Sequence, residues 1–341
     1  MGALKQIGVV AWSMAIAAGI GLTAWSGFDA VGKAVTSVGW GMMFVVLTRA
    51  LAVSVAGAGW WLLFPERLVL RVAVLLRFVR ESVNTLLPLT QVGGDVIGGR
   101  LLTFWAVPGP LAAASLVIDV LIQASTQFLF ATLGLLMLVA LRPDMKVAGA
   151  AATGMALAIP MLGAFYLAQR RGGHRILRLV LARLKGDGNW RVVGTVDALY
   201  QYLSMIYGRW SNIVSSSLVH LVGWLIGVAE VLIVLSCMGH PVTIAEGLVI
   251  ESLLQAVRGA AFAIPSALGA QEAGLILLCG LFGIPPDQAL ALSLLKRAAD
   301  LALGVPGLVA LQVLEGEHLT ANCSRCEGQP RISLDLPPER Q

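Results

Sequence analysis

The sequence predicts an all-α polytopic membrane protein, built as an inverted-topology repeat of about six full spans plus two re-entrant helical hairpins broken by Pro and Gly. Three observations carry this. The chain is 57% hydrophobic and 13% charged over 341 residues. A soluble domain so apolar would expose large patches and aggregate. Several apolar stretches reach the ~20 residues that a helix needs to cross a hydrocarbon core, and the alternation of a membrane barrel is missing. Finally, the chain repeats one pattern. "PLTQVGGD" runs from Pro88 to Asp95 and "PSALGAQE" from Pro265 to Glu272, each a proline, a small-residue bend and a carboxylate. The same interval of sequence separates the two prolines and the two acids. A broken helix at membrane depth, once per half, is the sequence mark of a transporter-type binding site.

The elements follow in order. Residues 7–27 read as a first span, too long for the apolar core of a signal peptide. Span two is about 38–64. An Arg-containing apolar helix at 67–87 leads to the first break and a short helix to Trp105. Span three is about 110–141 and span four about 147–169. Span five is about 210–238. A helix at 243–264 leads to the second break and a short helix to Phe282. The last span is about 286–314, and the polar stretch 315–341 reads as a disordered cytoplasmic tail. The membrane domain is therefore 1–314, with repeat halves at about 38–141 and 210–314.

Topology follows from the positive charges. Residues 170–209 carry eight Arg and Lys side chains, which places that stretch in the cytoplasm. It holds two amphipathic patterns, one with Arg171, Arg175 and Arg178 on its polar face and one with Val192, Val196, Leu199, Leu203 and Ile206 on its apolar face. These helices are expected at the interface, packing and orienting the domain and facing anionic headgroups. Counting back puts both termini in the cytoplasm. It makes the first break a hairpin from inside and the second a hairpin from outside. The second arms, near 94–105 and 271–282, cover only ~18 Å each.

Ionisable residues inside a membrane are costly and read as functional. Arg77, Glu81 and Asn84 share one helical face, as do Glu251, Gln255 and Arg258. Asp119 begins a polar stripe on span three that continues through Gln123 and Gln127. Glu81 and Arg258, and Asp119 and Lys296, are related by the same repeat interval as the prolines. Opposite charges at equivalent positions suggest ion pairs across a pseudo-two-fold axis, or else a polar cavity for a headgroup. Pro88 and Pro265 stop their helices, and Gly93, Gly94 and Gly269 permit tight bends. Asp95 and Glu272 follow as first-turn acids, which either cap the returning helices or meet substrate hydroxyls, cations or protons. Metalloprotease, Walker and prenyl-diphosphate signatures are missing, so no catalytic residue, metal or cofactor is expected. Cys237 and Cys279 read as small hydrophobes. The basic pI has no soluble domain to carry it to nucleic acid.

The tip motifs, their order and the run from Pro265 to Leu308 resemble the flippase-like membrane domain of the lysylphosphatidylglycerol synthases. The residues that match are Asn84, Pro88, Gly93, Gly94 and Asp95, then Pro265, Gly269 and Glu272. The wording "PLTQVGGDVIGGRLL" is closest to the hopanoid-biosynthesis-associated branch. Only the short stretch 315–341 follows the membrane domain, so the resemblance implies lipid translocation in a bacterial inner membrane rather than lysyl transfer. It implies a hopanoid or its polar derivative as cargo. Two other readings stay open: a membrane-embedded enzyme modifying an isoprenoid lipid, and a non-catalytic scaffold of a lipid-synthesis complex. Homo-oligomers or lipid-biosynthesis partners are compatible with each.

Overall fold

The structure is a computed structural model. It describes residues 36, 38–64, 68–87, 93–142, 190–261, 267 and 269–327, with scattered positions between 149 and 167. The expected first span, most of the fourth, the first amphipathic pattern and both tip prolines, Pro88 and Pro265, lie outside the described residues.

Among the described residues the fold is all-helical. The helices are α1 Gly41–Trp61, α2 Leu70–Leu86, α3 Gly93–Leu102, α4 Gly109–Leu141, α5 Trp190–Gly208, α6 Trp210–Cys237, α7 Ile244–Ala260, α8 Ala270–Gly280 and α9 Pro286–Glu327. Four of them, α1, α4, α6 and the first part of α9, are long and apolar enough to cross a membrane. Local chemistry sets several ends. Pro110 sits in the first turn of α4, where its missing N–H costs nothing. Thr243 and Glu246 form a reciprocal capping box that starts α7. Gly239 and Gly283 take positive φ just beyond α6 and α8.

Helix α9 runs past Leu314 as far as Glu327, into the stretch expected to be a disordered tail. The continuation is tied down. Arg100 Nη2 donates to Glu315 Oε2 at 2.8 Å, and His318 stacks on Phe104.

The helices enclose two apolar cores with a polar layer between. One core gathers the ends of α1 and α9 around α2, α3 and the starts of α4 and α6, and includes Trp60, Leu76, Leu101 and Ile118. The other joins the start of α1 to the ends of α4 and α6, with α7, α8 and the start of α9, and includes Val45, Leu138, Leu254 and Leu295. The apolar face of α5 is buried at Val196, Leu203 and Ile206, and α5 packs on α4.

Helices α1 and α6 pack on each other. Helix α2 packs on α9, and α7 packs on α4. In lipid such contacts rest on close packing, because tails are as apolar as the side chains. Glycines make that possible here. A Cβ on Gly307 of α9 would collide with Ser82 of α2, and one on Gly134 of α4 would collide with Ser252 of α7. Gly307→Leu is therefore expected to lower stability by about 1–3 kcal/mol. Gly280→Ala, where a Cβ would meet nothing within 4 Å, is the neutral control in thermal unfolding of the detergent-solubilised protein.

Candidate functional site

The polar layer surrounds a cavity of about 450 Å³, within the ~300–1,000 Å³ of small-molecule pockets. Five guanidinium groups line it, from Arg49, Arg77, Arg80, Arg258 and Arg297, with the carboxylates of Glu81, Asp95 and Asp300. Asn84, Gln123, Gln127 and Trp224 add neutral polar groups. Glu81 is 38% exposed and Gly259 is exposed, so protein does not close the cavity completely.

Most of these charges are held by partners on other helices. Asp95 lies in the first turn of α3. Its Oδ1 accepts Arg80 Nε at 2.9 Å and Nη2 at 2.6 Å. Arg80 Nη1 reaches Asp119 Oδ2 at 2.9 Å, and the guanidinium lies over the Trp60 ring at 4.6 Å. Arg77 meets Asp119 at 3.4 Å, donates to Gln123 at 2.7 Å and pairs with Glu81 at 3.6 Å. Arg49 joins three spans by pairing with Asp300 of α9 and Glu230 of α6. Lys296 of α9, fully buried, meets Glu251 of α7 at 2.9 Å and Glu230 at 3.3 Å.

Glu272 does two things. Its Oε2 accepts the Gly269 backbone N–H at 2.8 Å, and its Oε1 accepts Arg297 Nε at 2.8 Å. Gly269 has φ +78, a backbone conformation open to glycine. Gly94 serves by absence of a side chain: a Cβ there would collide with the Arg80 carbonyl oxygen, while its N–H donates to Asn84 Oδ1 at 2.7 Å. Gly93 begins α3.

The expected residues divide. Arg77, Glu81, Asn84, Asp95 and Arg258 line the cavity. Asp119 and Glu251 do not; they stand behind the arginines and Lys296. Glu272 reaches the cavity only through Arg297. The expected pairing of repeat-related residues is corrected. Asp119 pairs with Arg77, Arg80 and His220 instead of Lys296, and Glu81 pairs with Arg77 instead of Arg258. Each acid is taken by a cation that packing brings closer than its repeat mate. Among the described residues, no carboxylate lies within ion-pair distance of Arg258.

Sequence reasoning left Arg49, Arg80, Arg297 and Trp224 out of the site. Arg80 reads as a topology signal in the sequence, one of a cluster near the cytoplasmic side. Its spacing of three from Arg77 was the available clue that it shares that face. The described residues hold no group of three or more His, Cys, Asp or Glu side chains placed for a metal ion.

Long apolar helices around a buried, charged cavity define a polytopic membrane protein with a polar site at the centre of its bundle. The chain belongs to the lysylphosphatidylglycerol synthase transmembrane-region family, whose model matches residues 10–307. Comparison with curated proteins and with solved structures gives no match. The family suggests a flippase-like function connected with membrane lipids.

Proposed function

We propose that the chain is a lipid flippase or transporter of the bacterial inner membrane, moving a hopanoid or related polar lipid by alternating access of two inverted halves. The carrying observation is the open cavity, rich in guanidinium groups, between the long apolar helices. A headgroup occupies it and its lipid tails stay against the outer helix faces. Helix packing supports the inverted repeat. Exchanging α1–α4 for α6–α9 turns the α2–α9 contact into the α7–α4 contact, and the α1–α9 contact into the α6–α4 contact. The Pro/Gly breaks then act as re-entrant hairpins that gate from opposite sides. Both termini face the cytoplasm, and anionic headgroups attract the basic stretch 170–209. The protein carries lipid without altering it.

The test compares a strain lacking the protein with its parent, measuring hopanoid in separated inner and outer membranes. An unchanged total with a shifted distribution is expected. Lost product with accumulated precursor would assign an enzyme or scaffold instead. Arg258→Gln should lower the restored transport by about tenfold or more, the loss of one charged hydrogen bond worth about 1.5 kcal/mol or more, with unchanged membrane yield.

A further inference from the structure

A buried pair outside the cavity lining, His220 and Asp119, has protonation demands that the site described above does not use. Nδ1 of His220 lies 2.9 Å from the backbone oxygen of Ser216. That oxygen only accepts, so Nδ1 carries a hydrogen. Nε2 lies 3.4 Å from Asp119 Oδ1. Asp119 is ionised, because its other oxygen takes Arg80 at 2.9 Å, Arg77 at 3.4 Å and the Gln123 amide at 2.7 Å. Both Nε2 and Oδ1 are buried, and neither has a hydrogen-bond partner. A bare Nε2 would aim its lone pair at a carboxylate oxygen in a low-dielectric interior, an unfavourable arrangement for both groups. One proton on Nε2 satisfies the two atoms together.

Among the described residues, these charged groups lie around the ring and beyond it. Helix α1 presents Gly59 to the ring, and a Cβ there would lie 2.5 Å from it. From α4 comes Asp119, and from α2 come Arg77 and Arg80, both on Asp119; Asp95 of α3 is reached through Arg80. Glu251 of α7 and Lys296 of α9 pair with each other and with Glu230, further along α6. Arg49 of α1 joins that same group.

The geometry points to His220–Asp119 as a proton-binding site that couples transport to a proton gradient, an inference that rests on the transport reading above. The proton sits on Nε2, facing Asp119 Oδ1 at 3.4 Å. Arg77 and Arg80 share Asp119 and also line the cavity, so a headgroup that draws on those arginines changes what Asp119 offers the imidazolium. Movement of α2 against α4 and α6 would release the proton, and its return would reset the site.

Two measurements on the full chain test this. In lipid nanodiscs, a variant retaining His220 as its sole histidine is labelled with 15N-histidine and examined by NMR at pH 7. The expected spectrum has both ring nitrogens protonated. Nitrogen resonances of a neutral ring with Asp119 intact would overturn the proposal without any transport assay. In proteoliposomes, a pH difference of one unit should shift the steady-state distribution of hopanoid between leaflets by about tenfold, the ratio set by one proton per lipid. His220→Gln should still move lipid but reach an even distribution. An even distribution in the unaltered protein overturns the coupling. No lipid movement under any gradient overturns the transport reading and the coupling with it, while the NMR result still decides the proton site.

Discussion

Replacing Arg80 with alanine is expected to lower stability by about 3–5 kcal/mol, the usual cost of removing one member of a buried ion network. Arg80 is 2% exposed. Its guanidinium serves Asp95 and Asp119 at once and lies over Trp60. Its stem runs against the backbone of α3 at Gly98, where a Cβ would come within 2.6 Å of Cγ. The substitution therefore removes a charge and leaves a channel beside Gly98. Asp119 keeps the Gln123 amide at 2.7 Å and, as ionic partners, Arg77 and His220, each at 3.4 Å, and Asp95 loses its ion-pair partner. Lysine at this position reaches one carboxylate but cannot fork to two, so Arg80→Lys should recover only part of the loss. The readout is the thermal midpoint in detergent together with the yield of monodisperse protein. A midpoint for Arg80→Ala equal to the unaltered protein's would show that the network contributes nothing to the fold.

The second large effect is expected at Lys296. Lys296→Met keeps the volume and chain length but strands Glu230 and Glu251, both 1% exposed. Glu251 would retain the Gln255 amide at 2.7 Å, and Glu230 would retain Arg49 at 3.6 Å. The cost is again about 3–5 kcal/mol. Adding Glu251→Gln to Lys296→Met removes the stranded charge and should return about 1–3 kcal/mol, the range for coupled neighbours. Unfolding of the two single variants and the double variant measures this. Strictly additive effects would mean that Lys296 and Glu251 act independently and that the 2.9 Å contact carries no energy. The exposed pair Arg100–Glu315 offers contrast: Arg100 is 53% exposed, and losing it should cost less than about 1 kcal/mol.

Much of the architecture was legible in the chain, because membrane helices announce themselves by length. The spans expected at 38–64, 110–141, 210–238 and 286–314 each coincide with a long apolar helix, the last one running on to Glu327. The Gly-rich segments after the breaks begin short helices, as their lengths imply. Placement of the polar residues was legible within single helices. Arg77, Glu81 and Asn84 share a face by spacing, and all three reach the cavity. The tip acids were legible as paired landmarks but not in their roles. Asp95 is bound by Arg80, while Glu272 both caps its helix and holds Arg297.

By itself the sequence determined a helical membrane protein, the family, and which helices carry buried charge, since hydrophobic run length and periodicity are properties of contiguous residues. Tertiary structure alone decided who pairs with whom. Lys296 chose Glu230 and Glu251, and Asp119 chose Arg77, Arg80 and His220. It also separated Arg80, an apparent topology signal, from the arginines of the loops. The physical reason is range. An ion pair in a low-dielectric layer depends on ångström-scale separations between helices far apart in sequence, and those separations are set by glycines such as Gly59, Gly98 and Gly307 that let backbones approach.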